Sequence, residues 1–399
     1  MKLKRNIAAL LCAGMLISGL AACGNSDVKE YGDSTADPSA SMQPAETDLG
    51  ETAGPEAPDY TYAFEKYSPE TVVFRVNGLP ITWNELFYWI MYNRTSFEMY
   101  FGTIEDWSAA NAGNPEQTNN EAILEAAMGY IKEYTSLESN VMEMGVELTD
   151  EQKKDVEDIW NQQISQYADG DTELFINDYL KPSFLTEEMY KKLIQIETFF
   201  NAGVEKMFGE GAKDCTEEEV AEFVTSADLV AAKHILIKTG GDIDPDTGMP
   251  AELDEAAVAE KTAQAEDILS QIKSAADPAA KFDELMNEFS EDTGLVLFPE
   301  GYIFDSIKMV AEFNEGTRAL EVGEISDLVE STYGYHIIMR VDAKPDMDYD
   351  YSNDGRLLTL REAAAISIFD SHMAEWSEEA VVEWEPDFKN LDLAKIFEK

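Results

Sequence analysis

Two short strands that each carry a histidine constrain this chain more than any other feature. One reads Ala232-Lys233-His234-Ile235-Leu236-Ile237-Lys238, the other Thr332-Tyr333-Gly334-Tyr335-His336-Ile337-Ile338-Met339-Arg340. The 399 residues hold three histidines, and two stand at matching places in these runs. β-Branched runs bounded by Gly and polar clusters read as strands. Strands far apart in sequence can still be neighbours, and side chains alternate between the two faces. Pairing would therefore put both imidazoles on one face of a sheet. The stretch they bracket, Val230 to Val341, is the block the rest of the chain serves.

A length of 399 residues gives a soft expectation of two or three domains, with enough chain to bury real cores. Hydrophobic content of 44% is ordinary for a globular protein, but a formal net charge of -51 is not. Such an acidic surface keeps a protein soluble and repels nucleic acid, anionic lipid and anionic wall polymers. Nucleic acid is thus argued against as a partner. The charge reads as a solvated surface, with attraction of basic or unfolded clients as the functional alternative.

Residues 1–22 read as a signal peptide. Lys2, Lys4 and Arg5 precede an apolar core from Ile7 to Leu20, too short to span a bilayer comfortably. It ends in Leu20-Ala21-Ala22-Cys23, which resembles the bacterial lipobox. In that motif small residues admit a signal peptidase and the Cys thiol then carries diacylglycerol. Cys23 is therefore the expected lipidation site, anchoring the chain to the outer face of the bacterial cell membrane instead of spanning it. With Cys12 removed and Cys23 lipidated, only Cys215 remains, so no intramolecular disulfide is expected. Cys215 has no obvious base beside it and reads as a structural thiol. Residues 23–67, rich in Ser, Asp, Glu, Pro, Ala and Gly, read as a flexible tether.

Order begins near Thr71. Val72 to Val76 reads as a strand, Asn77-Gly78 as a turn, and Thr82 with Glu85 as a capping box opening a helix. That helix is crowded with aromatics, among them Trp83, Phe87, Trp89, Tyr92, Tyr100 and Phe101. They read as core, with an exposed client cradle as the alternative. Further helices follow, two opened by the capping pairs Thr149 with Gln152 and Thr216 with Glu219. Beyond Val341 come a loop, a helix at about Arg356 to Trp376 and a strand at Ala380 to Trp384.

The histidine block resembles the parvulin family of peptidyl-prolyl isomerases. The resemblance is carried by "KHILIK", by "FDELMNEFSEDTG" (Phe282 to Gly294), and by "MVAEFNEGTRALEVGEISDLVESTYGYHIIMRV" (Met309 to Val341), with "GEIS…V…YGYHII" at the family's spacing. The "V-x-N-G-x-x-I-T…EL" opening before the helices resembles PrsA-type and SurA-type foldases. The resemblance implies an α+β fold, in which a small antiparallel sheet flanked by helices is inserted in a mainly α-helical chaperone domain. The expected division is 68–226 for the N-terminal helical part, 227–345 for the parvulin-like domain, and 346–399 for a segment packing back on the N-terminal part.

By the same resemblance His234 and His336 form a paired-imidazole core, and Asp292 takes the Cys/Asp position beside the isomerising bond. Met309 and Phe313 match the proline-ring pocket, set on one helix face by their i, i+4 spacing. Phe304 supports that wall, and Tyr333 stands at the polar position before Gly334. Turning an X-Pro bond crosses an amide-resonance barrier of about 18–20 kcal/mol without making or breaking a bond. The expected catalyst therefore uses no nucleophile, metal or cofactor. It needs an apolar slot for the ring and polar groups that favour the twisted amide over the planar one. The implied function is isomerisation of X-Pro bonds in unfolded or partly folded exported proteins, with a homodimer possible. The alternative is a lipid-anchored holdase whose site has decayed.

Two departures from the family pattern bear on this. "FPEGYIF" (Phe298 to Phe304) replaces "GGDLG-x-F", leaving Gly301 where an apolar residue is expected, and Val310 replaces a common Gln. The loop "TGGDIDPDTGMPAELDEA" lacks Arg and Lys, which argues against phosphoserine-proline specificity. Asp242, Asp244 and Asp246 alternate as in calcium loops, but Gly at the seventh position, Pro245 and Leu253 at the twelfth depart from that pattern, so an acidic surface loop is expected. His372 has no neighbouring ligand types and reads as an ordinary surface or core residue.

Overall fold

The computed structural model describes residues 61–243, 250–352 and 355–397. The signal segment, Cys23, most of the tether, and Asp244 and Asp246 of the acidic loop lie outside the described residues. In chain order the first elements are α1 (Thr61–Lys66), β1 (Val72–Val76), β2 (Leu79–Thr82), α2 (Trp83–Phe101), α3 (Asn119–Glu143), α4 (Asp150–Ala168), α5 (Thr172–Phe175), α6 (Glu187–Phe208) and α7 (Glu217–Ser226). The histidine-bearing block follows with β3 (Val230–Lys238), β4 (Gly240–Ile243), β5 (Pro250–Glu252), α8 (Glu255–Ser274), α9 (Pro278–Phe289), β6 (Tyr302–Phe304), α10 (Ala311–Arg318), β7 (Val329–Ser331) and β8 (Gly334–Val341). The chain closes with β9 (Asp348–Tyr351), β10 (Leu357–Thr359), α11 (Leu360–Glu379), β11 (Val382–Trp384) and α12 (Ala394–Phe397). Among the described residues no helix is long and apolar enough to cross a membrane.

The contacts divide the chain into two units. The first takes the described residues up to Ser136, Leu148–Glu197 and the chain from Ala380 on. Its three strands are ordered β11-β1-β2, all antiparallel. Asn77 and Gly78 both have positive φ, +51° and +82°, as a two-residue hairpin turn of matching twist requires. Thr82 caps α2 by accepting from the Glu85 N–H, but the expected reciprocal bond is absent. The Glu85 carboxylate turns instead to the Lys192 ammonium at 2.9 Å. The full capping box does form at Thr149 with Gln152. Trp83, Phe87, Trp89 and Ile90 of α2 are buried with Phe388, Leu393 and Ile396, while Met99, Tyr100 and Phe101 at its end are exposed. The aromatic helix is thus core over its first half, half-buried beyond that and exposed in its last turn.

The second unit takes Leu137–Glu147 and Thr198–Glu379, so it includes α7 and α11 as well as the histidine block. Here too the capping box forms, at Thr216 with Glu219. The sheet is antiparallel with order β6-β3-β8-β7. One face places Ile235, Ile237, Ile337 and Met339 against Ile268 and Ile272 of α8 and Phe282, Leu285 and Met286 of α9. The other packs Val230, Ala232 and Ile338 with Phe304 and against Phe313 of α10. Alternation along each strand therefore sends the even-numbered β3 and β8 residues, both histidines among them, to the α10 face.

Candidate functional site

The register decides how the histidines meet. His234 lies opposite Ile338 and Leu236 opposite His336, so the two imidazoles are diagonal neighbours on one face. Both are buried. Gly334 opens β8 where a side chain could not fit: its φ is +133°, and a Cβ would lie 2.2 Å from the Ile237 carbonyl oxygen. The close approach of β8 to β3 at this end, two residues before His336, thus depends on glycine.

A line of hydrogen bonds runs through the pair. His234 Nδ1 lies 3.0 Å from His336 Nδ1, and His234 Nε2 lies 2.9 Å from Asp292 Oδ2. On the far side His336 Nε2 lies 2.7 Å from Ser331 Oγ, which also accepts from the Tyr333 N–H at 3.1 Å. One arrangement of protons satisfies every contact. The Ser331 hydroxyl donates to His336 Nε2, His336 Nδ1–H donates to His234 Nδ1, and His234 Nε2–H donates to the Asp292 carboxylate. Burial, together with the neighbouring His234, lowers the His336 pKa to about 3, which keeps that ring neutral at ordinary pH.

Asp292 is fixed by the segment between α9 and the following turn. Beyond β6 the edge of β3 is covered by Ser290 and Glu291: the Leu236 N–H donates to Ser290 Oγ at 3.1 Å, and the Glu291 N–H donates to the Leu236 carbonyl at 2.8 Å. The next residue, Asp292, then faces His234. Burial alone would raise its pKa, but the His234 hydrogen bond, the Tyr302 hydroxyl at 2.6 Å and the Gly294 N–H outweigh it and hold the carboxyl at about 2. Asp292 is thus an ionised group at the rim of an otherwise neutral, apolar pocket.

That pocket is aromatic. The Phe313 ring stands edge-on to both imidazoles, with centroids 5.0 Å from His234 and 5.3 Å from His336, and Phe304 backs it at 5.5 Å. Met309 packs against the same cluster, partly buried. It does so from outside the helix, because α10 begins only at Ala311 with Val310 as its N-cap. The i, i+4 placement on one helix face expected for Met309 and Phe313 is therefore not what joins them. Tyr333 meets the network through its backbone N–H. The structure thus brings His234, Asp292, His336, Phe304, Phe313 and Met309 together.

Two participants escaped the sequence reading. Ser331 is a small hydroxyl five residues before His336, visible only once the β7–β8 turn folds it back. Tyr302 lies in the stretch that departs from the family pattern. It pairs with Ala232, on the same face as His234, and its hydroxyl reaches Asp292. Gly301 before it is needed for close approach, since a Cβ there would lie 2.6 Å from the Ala232 carbonyl oxygen at a φ of +104°. Of the other residues singled out, His372 is exposed on α11, with Nδ1 3.4 Å from Glu375. Cys215 is fully buried. Among the described residues no group of three or more His, Cys, Asp or Glu is placed to hold a metal ion.

Residues 234–342 match the family model of the rotamase, or PPIC-type PPIASE, domain. The chain is 29% identical over 218 residues to the foldase protein PrsA of Halalkalibacterium halodurans, covering 52% of this chain and 49% of that one. It is 31% identical over 202 residues to the foldase protein PrsA of Oceanobacillus iheyensis, covering 50% and 54%. Among solved structures, PrsA from Bacillus subtilis is 17% identical with a TM-score of 0.25, covering 74% of this chain and 99% of that one. The chain spans about half the length of the curated relatives it matches, from 41% to 56% of the first four.

Proposed function

We propose, for a PrsA-like chain carrying a parvulin-type domain at residues 234–342, that it is a peptidyl-prolyl isomerase and foldase for exported proteins. One observation carries the reading: an ionised Asp292 and the hydrogen-bonded His234–His336 pair stand together beside the Phe313 and Phe304 wall. Phe313, Phe304 and Met309 take the proline ring, which holds the substrate without polar competition. Asp292 acts on the amide. Its negative charge disfavours the planar resonance form, in which charge accumulates on the carbonyl oxygen, and so favours the twisted form. His234 and His336 keep that carboxylate oriented and charged, and Ser331 fixes the outer ring. No group in this scheme gains or loses a bond to the client.

The clients are unfolded or partly folded exported chains with X-Pro bonds, and the first unit contributes to holding them. We place the protein outside the cytoplasm, anchored by a lipid on Cys23, with 68–226, 227–345 and 346–399 as its functional segments behind the tether. The acidic surface favours basic clients and argues against nucleic acid. The test is refolding of a model protein whose slow phase is proline-limited, with the soluble chain from residue 24 on. Acceleration by wild type that is lost in Asp292→Ala, with circular dichroism unchanged, supports the reading. A slow phase left untouched while aggregation is suppressed sinks it and leaves a holdase.

A further inference from the structure

We propose that Tyr302 is a positioning residue of this site, acting through Asp292, and that Gly294 lacks a side chain in order to admit the Tyr302 hydroxyl. The catalytic consequence rests on the isomerase reading above; the effect on Asp292 does not.

The Asp292 carboxylate receives three donors. Oδ2 accepts from His234 Nε2 at 2.9 Å and from the Tyr302 hydroxyl at 2.6 Å, and Oδ1 accepts from the Gly294 N–H at 3.0 Å. The Gly294 N–H and His234 hold one oxygen each, and the Tyr302 hydroxyl adds a second, short donor to Oδ2 from the opposite strand, which strengthens the hold on the charged form. Tyr302 is itself well anchored. It sits in the β3–β6 ladder opposite Ala232, its ring is edge-on to His234 at 5.8 Å, and Phe298 covers it at 5.2 Å. Burial, together with the hydrogen bond to Asp292, pushes the Tyr302 hydroxyl far above the ordinary tyrosine range, so it remains a donor.

Gly294 carries the second half of the argument. A Cβ there would lie 1.9 Å from the Tyr302 hydroxyl oxygen. Its φ is outside the left-handed region, so conformational freedom does not explain this glycine. Space for the hydroxyl does. The charged and titratable groups around Asp292 are few: His234 from β3, Tyr302 from β6, His336 behind His234, and Glu291 beside it. The Glu291 carboxylate is turned to Lys261 and the Lys238 N–H.

The experiment uses Tyr302→Phe, Gly294→Ala and the double variant in the full soluble chain. It reads the Asp292 carboxyl by carbon-13 NMR titration and kcat/KM by exchange spectroscopy on a proline peptide across pH. Loss of a hydrogen bond to an ionised group raises the Asp292 midpoint in Tyr302→Phe by about one to two pH units. The acid limb of kcat/KM moves up with it, while KM changes little because the ring remains. Gly294→Ala produces the same direction of change by displacing the hydroxyl. In the double variant the added methyl has no hydroxyl to meet, so the effects do not add. An unmoved Asp292 midpoint in Tyr302→Phe, or additive effects of the two changes, overturns the proposal. If wild type turns no peptide yet the midpoint moves as stated, the positioning role stands and the isomerase reading alone falls.

Discussion

Lowering the pH should destabilise the second unit through the buried ring of His336. His336 titrates at about 3 in the folded chain and near 6.5 when unfolded, because burial and His234 oppose its protonation. Between those values the unfolded state binds a proton that the folded state refuses, so stability falls as pH falls through that window. At pH 4.5 the loss is two pH units at about 1.36 kcal/mol each, or about 2–3 kcal/mol from a typical total of about 5–15. Asp292 has the same sign of dependence in a lower range. Its folded pKa of about 2 lies below its ordinary value, so its contribution is present above about pH 4 and disappears only on the way down to 2. The rest of this acidic surface also titrates, so the comparison needs His336→Gln, which removes the titrating ring and keeps a polar group of similar reach. The assay is urea unfolding at pH 7 and at 4.5, followed through the methyl resonances of Ile235 and Ile337, which are fully buried in the sheet. The variant is expected to be less stable at pH 7 and to lose about 2–3 kcal/mol less than wild type on acidification. Parallel losses in the two proteins would show that His336 is not held neutral, and the proton arrangement derived for the site would be wrong.

Further outcomes follow from the same geometry. Phe313→Ala removes the ring that touches both imidazoles and Phe304, and should lower stability by about 3–5 kcal/mol and raise KM for proline peptides, read by urea unfolding and by exchange spectroscopy. Gly301→Ala forces a positive φ and a clash with the Ala232 carbonyl, costing about 1–3 kcal/mol before the clash is counted, and should also lower kcat/KM by shifting Tyr302. Cys215 is fully buried and burial pushes its thiol up, so it should resist a disulfide reagent until urea unfolds the chain.

Much of the block was legible in the sequence because its signals are local and redundant. The β-branched runs around His234 and His336 read as buried strands, and side-chain alternation lets both histidines share one face once the strands pair. The caps at Thr149 and Thr216 were legible because both halves of each box lie within one turn. Thr82 with Glu85 was only half legible: a lysine 107 residues away outcompetes the backbone for the Glu85 carboxylate. Met309 and Phe313 were correctly associated for the wrong local reason, since their spacing fits a helix that starts two residues too late to contain Met309. Tyr302 was illegible for a different cause. Its role depends on a gap at Gly294, and a gap leaves no pattern in sequence until the ring that fills it is placed.

If this site turns prolyl bonds, it should do so on a short peptide with one X-Pro bond, where no folding or aggregation intervenes. Two-dimensional exchange NMR reads the cis-to-trans rate with catalytic amounts of wild type and of Asp292→Ala. Wild type should shorten an exchange time of tens to hundreds of seconds, and the variant should restore nearly all of it while His234, His336 and the sheet keep their native resonances. An exchange rate that wild type leaves at the uncatalysed value would contradict the isomerase reading.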